Sequence, residues 1–209
     1  MFKRVICVYL VVLICLIASV AHAKLDFVGI WSSYDRTTEG FGSQIVFTED
    51  GKVYLTFGTL LDYKYAIQDN TITLTPIGPD NRETRGSITS DYKLNGDTLI
   101  MTSPTSTAVQ SMKRVKISSK LDKLPPIVGN WTYTYSTGDS AHMRFSSHGI
   151  VQLSVISKFT MGTYRMEHDE LFITFSGKKS KYGKNRTGDT LLLTDNETNK
   201  TDKYVLFEY

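Results

Sequence analysis

One segment of this chain is written twice. Val28-Gly29-Ile30-Trp31 is matched by Val128-Gly129-Asn130-Trp131, and an F-x-x-x-G-x-V-x-L pattern follows each: Phe47, Gly51, Val53 and Leu55, then Phe145, Gly149, Val151 and Leu153. Further on, Tyr65 is met by Tyr164, and Gly96-Asp97-Thr98-Leu99 by Gly188-Asp189-Thr190-Leu191. Positions that stay in line at a nearly constant offset mark an internal repeat, so the chain must fold as two copies of one unit. The copies span residues 24–115 and 127–209. The stretch 116–126, with its Lys, Ser and Pro125-Pro126, is read as a linker with one helical turn around Ser119 to Lys123.

Within each copy apolar residues recur every second position, in short runs punctuated by turn residues, which is the pattern of half-buried antiparallel strands. In the second copy strands are expected at Val128 to Tyr135, Ala141 to Ser146, Ile150 to Ile156, Thr160 to Met166, Glu170 to Phe175, Lys181 to Asn185, Thr190 to Thr194 and Asp202 to Glu208. The first copy gives the same eight, with Asp50-Gly51, Asp69-Asn70 and Asn95-Gly96 as hairpin turns, because these residues tolerate positive φ. A meander of eight short strands keeps two open edges unless it closes on itself. The expected fold is therefore all-β: two tandem small antiparallel up-and-down β-barrels of about eight short strands each.

At the N-terminus Lys3-Arg4 precedes an apolar run from Val5 to Val20 and then Ala21-His22-Ala23, the form of a signal peptide over residues 1–23 with cleavage before Lys24. An uncleaved membrane anchor is the rival reading of that run. The localisation expected is periplasmic or secreted, with no transmembrane span after signal removal. Cys7 and Cys15 are the only cysteines and both lie in this segment, so the mature fold is expected to have no disulfide and to depend on buried apolar surface. Lipid attachment at Cys15 would want a small residue just before it, where Val12-Leu13-Ile14 stands. Without Lys3 and Arg4 the chain keeps 22 basic residues against 21 acidic ones, a balance that argues against nucleic acid as a partner.

A Gly-x-Trp on the first strand, followed by an antiparallel meander with an Asp-Gly hairpin, resembles the bacterial lipocalin-like domain proteins, and it does so in both repeats. The resemblance implies a barrel in each repeat. It also implies structural roles for Gly29, Trp31, Gly129 and Trp131 near the closed end, each indole covering the base of the core.

At the opposite, open end a small apolar or amphipathic ligand would meet Phe41, Phe57 and Leu60 in the first repeat, or Phe159 and Met161 in the second. Lys178, Lys179 and Lys181 lie in a basic run that reaches Lys184 and Arg186. That run reads either as a surface for an anionic ligand or as an edge strand whose lysines block aggregation. At the Trp end, alternate turns of a meander group Glu49, Asp50, Asp69 and Asp97 in one repeat and His148, His168, Asp169 and Asp189 in the other. These could ligate a metal, or they could be the residues that tight turns require. No metal and no cofactor is assigned. His142, His148 and His168 lie in the second repeat with Ser140, Ser146 and Ser147, but no G-x-S-x-G elbow surrounds a serine, and no catalytic residue is assigned.

The function expected is a non-enzymatic binding module for a small apolar or amphipathic ligand or an envelope component. A structural or protein-interaction module, with an envelope protein as partner, is one alternative, and a weak metal-binding or hydrolytic site on the second repeat is another.

Overall fold

In the computed structural model the described residues are 27–78, 82–84, 86–103, 109–115, 124–135 and 137–209. The signal segment, both cysteines and the helical turn expected near Ser119 lie outside them. The described residues form fourteen strands: β1 Gly29–Ser33, β2 Phe41–Phe47, β3 Lys52–Gln68, β4 Thr71–Ile77, β5 Ile88–Asn95, β6 Thr98–Thr102, β7 Val109–Val115, β8 Gly129–Thr134, β9 Ser140–Phe145, β10 Ile150–Glu167, β11 Glu170–Phe175, β12 Lys178–Thr187, β13 Thr190–Asp195 and β14 Thr201–Leu206. Every neighbouring pair is antiparallel, and β1 pairs with β14, so the single sheet closes in a ring.

Each repeat thus supplies seven strands, not eight. The expected third and fourth strands are one: β3 runs for 17 residues and β10 for 18. Ser157-Lys158-Phe159 lacks the Gly, Asn or Asp that a two-residue hairpin favours, and the chain passes through it with only a register shift between Ile156 and Lys158. The two long strands pair with each other from Ile150↔Lys64 to Thr163↔Lys52. Gly58 sits at this crossing, where a Cβ would lie 1.9 Å from the Val155 carbonyl oxygen, so only glycine lets the two backbones meet.

This brace divides the ring into two circuits of eight strand segments. The first takes β1, β2, the front half of β3, the back half of β10, and β11 to β14; the second takes the back half of β3, β4 to β9, and the front half of β10. Closure of each repeat on itself was the expectation, and the pairing is instead exchanged between repeats. Each circuit has its own core, drawn from both. One joins Trp31, Phe47 and Val53 with Tyr164, Leu171 and Leu191; the other joins Ile72, Leu99 and Met112 with Trp131, Phe145 and Val151.

The repeated motifs occupy equivalent places. Trp31 and Trp131 are fully buried, and their indole N–H groups donate to the carbonyls of Phe27 and Ile127 at 2.6 and 2.8 Å. A guanidinium lies over each indole: Arg114 at 4.2 Å from the Trp131 ring centroid and Arg186 at 5.3 Å from that of Trp31. Arg114 also donates to the carbonyls of Val128 and Pro126. A Cβ on Gly129, whose φ is 137°, would stand 2.8 Å from this guanidinium, which is a physical reason for glycine two residues before the tryptophan. Pro125 accepts from the Val128 amide at 2.8 Å, so the proline pair makes a turn into β8.

Candidate functional site

The second circuit encloses a cavity of about 210 Å³. Alternation along its strands builds the wall. One step beyond Trp131, Phe145 and Leu99 on the same faces come Tyr133, Met143 and Met101, and a further step gives Tyr135, Ala141 and Ser103. Tyr63 on β3, Leu74 on β4, Ile88 and Ser90 on β5, Gln110 and Met112 on β7 and Leu153 on β10 complete it. None of these lining residues carries a charge. Ile88 is 49% exposed while Met112 is 1% exposed, so the wall runs from rim to core. The rings of Tyr133 and Tyr135 stand 4.8 Å apart at 83°. Burial, with Asp62 and Tyr135 nearby, pushes the Tyr63 phenol above its ordinary range and keeps it neutral at physiological pH.

The residues expected to bind ligand fall elsewhere. Phe41 and Phe57 stack at 6.2 Å on β2 and β3, on the same strand face as Val53 and Leu55 of the first core, and are 38% and 44% exposed. Leu60 lies on the opposite face and is buried; a Cβ on Gly42 would stand 3.2 Å from its side chain. Phe159 and Met161 are both 59% exposed, with Phe159 stacked on Tyr54 at 6.0 Å. The bulge before Lys158 shifts the phase of alternation, so Val151 and Leu153 before it and Tyr164 and Met166 after it face the cores, while Phe159 and Met161 point away.

The lysine run is not an edge. It forms β12, which is paired on one side with β11 and on the other with β13. Lys184 and Arg186 turn toward Phe27 and Trp31, at 5.0 and 5.3 Å from their ring centroids. Lys178 is exposed beside Phe175. Lys179 lies 4.0 Å from the Phe172 ring centroid and Lys181 pairs with Glu170 at 2.5 Å. Lys179, Arg165 and Phe172 line a second, shallow hollow of about 200 Å³.

The acidic and histidine turns do not group as expected, because β3 and β10 are continuous. Asp50 precedes β3 and Asp69 follows it, and His148 and His168 flank β10 in the same way. At a rise of about 3.3 Å per residue each pair is separated by on the order of 50 Å, too far to share an ion. Asp69, His168 and Asp169 have φ of 53°, 48° and 65°, the conformation their turns demand. Among the described residues no group of three or more His, Cys, Asp or Glu could hold a metal ion. The Ser146 hydroxyl accepts from the amides of His148 and Ile150, which makes it part of the hairpin.

No family model, curated protein or solved structure matches this chain.

Two buried polar groupings had no signal in the sequence. The Gln152 carbonyl oxygen accepts from Ser32 at 2.9 Å and from Gln44 at 2.8 Å, and its amide donates to Asp62 at 2.8 Å. Arg36 then reaches Asp62 at 2.7 Å. This chain of bonds ties β1 and β2 to the β3–β10 brace. Nearby in sequence, Arg144 is 3% exposed, and its Nε and one Nη have no hydrogen-bond partner among the described residues; the same holds for His142 Nδ1, Asn130 Oδ1 and the Tyr209 hydroxyl. Burial, with Arg144 alongside, lowers the His142 pKa to about 4. Cross-strand neighbours locate such groups only once the register is known.

Proposed function

We propose that this chain is a secreted or periplasmic, non-enzymatic binding module whose site is the cavity of the second circuit, and that its ligand is small and apolar or amphipathic. The observation that carries this reading is an uncharged cavity of about 210 Å³, walled by Tyr, Met, Leu and Ile with Ser90, Ser103 and Gln110 as polar points. Such a volume is below the range of about 300 to 1,000 Å³ typical of drug-sized ligands and above a cavity of about 150 Å³ known to hold benzene. It suits a single ring or a short branched group. On this reading the two circuits are two lipocalin-like β-barrels assembled by exchange of halves between tandem repeats, with Trp31 and Trp131 at their closed ends.

The test is methyl NMR on the chain labelled at methionine, titrated with benzyl alcohol. Saturable shifts in the methyls of Met101, Met112 and Met143, with Met161 unmoved, are expected. No saturable shift at the three cavity methionines would sink the reading.

A second reading, a protein-interaction module, draws on the outward pair Phe159 and Met161, each 59% exposed. It predicts that F159S together with M161S abolishes capture of an envelope partner, while an undiminished capture would dismiss it.

A further inference from the structure

We propose that the cavity of the second circuit is a cage for a quaternary ammonium group; the inference rests on the cavity being the binding site and names the ligand's chemistry. Three tyrosines, Tyr63, Tyr133 and Tyr135, line one cavity of about 210 Å³. Two of them, Tyr133 and Tyr135, meet edge to face, at 4.8 Å and 83°. Aromatic ring faces attract a cation through their quadrupole, and three aromatic rings line this one cavity.

The rest of the lining selects among cations and against anions. Among the described residues no Lys, Arg or His side chain lines the cavity to meet an anion, whose burial unpaired would be costly, whereas the burial of a cation is offset by the aromatic rings. No carboxylate of the described residues lines it either, and a primary ammonium would bring three N–H donors that must find acceptors. A quaternary ammonium has no N–H to satisfy and an apolar surface of methyl groups. Met101, Met112 and Met143 suit that surface, since thioethers adapt to the shape of what they touch.

The test compares choline with 3,3-dimethylbutan-1-ol, in which carbon replaces the charged nitrogen at the same shape, by methyl NMR titration of the full chain. Choline is expected to bind about tenfold more tightly than the alcohol. Y133L is expected to remove most of that preference while leaving the alcohol's affinity within about twofold, and Y133F to keep it, because phenylalanine retains the ring face. Should Y133L fail to fold, the comparison of the two ligands on the unaltered chain still decides. Equal or tighter binding of the alcohol overturns the ammonium cage and leaves the apolar cavity standing. Saturable binding by neither overturns both. The source of the group is read from vesicles of phosphatidylcholine added to the choline-bound chain: displacement of choline assigns a lipid headgroup, and no displacement assigns a free solute.

Discussion

The phenol of Tyr65 donates to the carbonyl oxygen of Ser146 at 2.7 Å, across 81 positions of sequence, and the phenol of Tyr164 returns the bond to Thr48 at 2.5 Å. Tyr65 and Tyr164 are equivalent in the two repeats, as are Thr48 and Ser146. The backbone repeats the exchange: the Tyr65 amide donates to Gly149 and the Tyr164 amide to Gly51, both at 2.8 Å. Each tyrosine also meets the other repeat's phenylalanine edge-on, Tyr65 with Phe145 and Tyr164 with Phe47. The repeats are related by a mutual exchange of these bonds, one in each core.

Removing either hydroxyl should have matching effects. Y65F and Y164F are each expected to lose about 1 kcal/mol in urea denaturation, the net worth of one part-buried hydrogen bond. The bonds lie in separate cores, so the double variant should lose the sum.

Gly58 is the tightest point of the brace. G58A places a methyl group 1.9 Å from the Val155 carbonyl oxygen and cannot be accommodated without moving backbone. A loss of at least about 2 kcal/mol in thermal unfolding is expected from the clash, whereas alanine at Gly96, whose Cβ would meet nothing within 4 Å, should lose only about 1 to 2 kcal/mol to the backbone strain set by its φ of 57°.

Two arginines, one half-buried and one buried, should respond with opposite sign. Arg114 lies over Trp131 and bonds the Val128 carbonyl, so R114M is expected to cost about 1 to 3 kcal/mol. Arg144 is buried with two of its three side-chain nitrogens unpaired among the described residues, and an apolar side chain of similar length relieves that desolvation. R144M is expected to leave the melting temperature unchanged or raise it.

The acid limb of stability should report His142. Burial, and then the charge on Arg144, hold its pKa at about 4, below the ordinary value of 6.5. Between those values the unfolded chain binds more protons than the folded one, so stability falls as pH drops from about 6.5 to 4, by up to about 3 kcal/mol, and is untouched above that window. H142Q is expected to flatten this part of the profile measured by urea denaturation at successive pH values.

Local signals were legible and distant pairings were not. The repeat, the period-two strands and the Asp-Gly and Asn-Gly turns are all written in neighbouring residues, and so is the equivalence of Trp31 with Trp131. Which strand closes on which is not: β1 could pair with its own repeat's β7 as readily, on local grounds, as with β14. The decision lies in β3 and β10, where Ser157-Lys158-Phe159 lacks the Gly, Asn or Asp of a tight hairpin and Gly58 serves a crossing of backbones instead of a turn. That same continuity moved Asp50 from Asp69 and His148 from His168. One extra residue at the β10 bulge turned Phe159 and Met161 outward. The cavity, with its three tyrosines, combines β3 of one repeat with β8 and β9 of the other, a juxtaposition that no single segment encodes.

Exchange of strands between the repeats is tested most directly by sedimentation velocity and far-ultraviolet circular dichroism on residues 124–209 alone, then mixed with residues 24–115. Neither half is expected to form a folded monomer, since each core then lacks about half its residues, and mixing the halves is expected to yield a folded one-to-one complex. A folded, monomeric single repeat with its own cooperative melt would contradict the exchange.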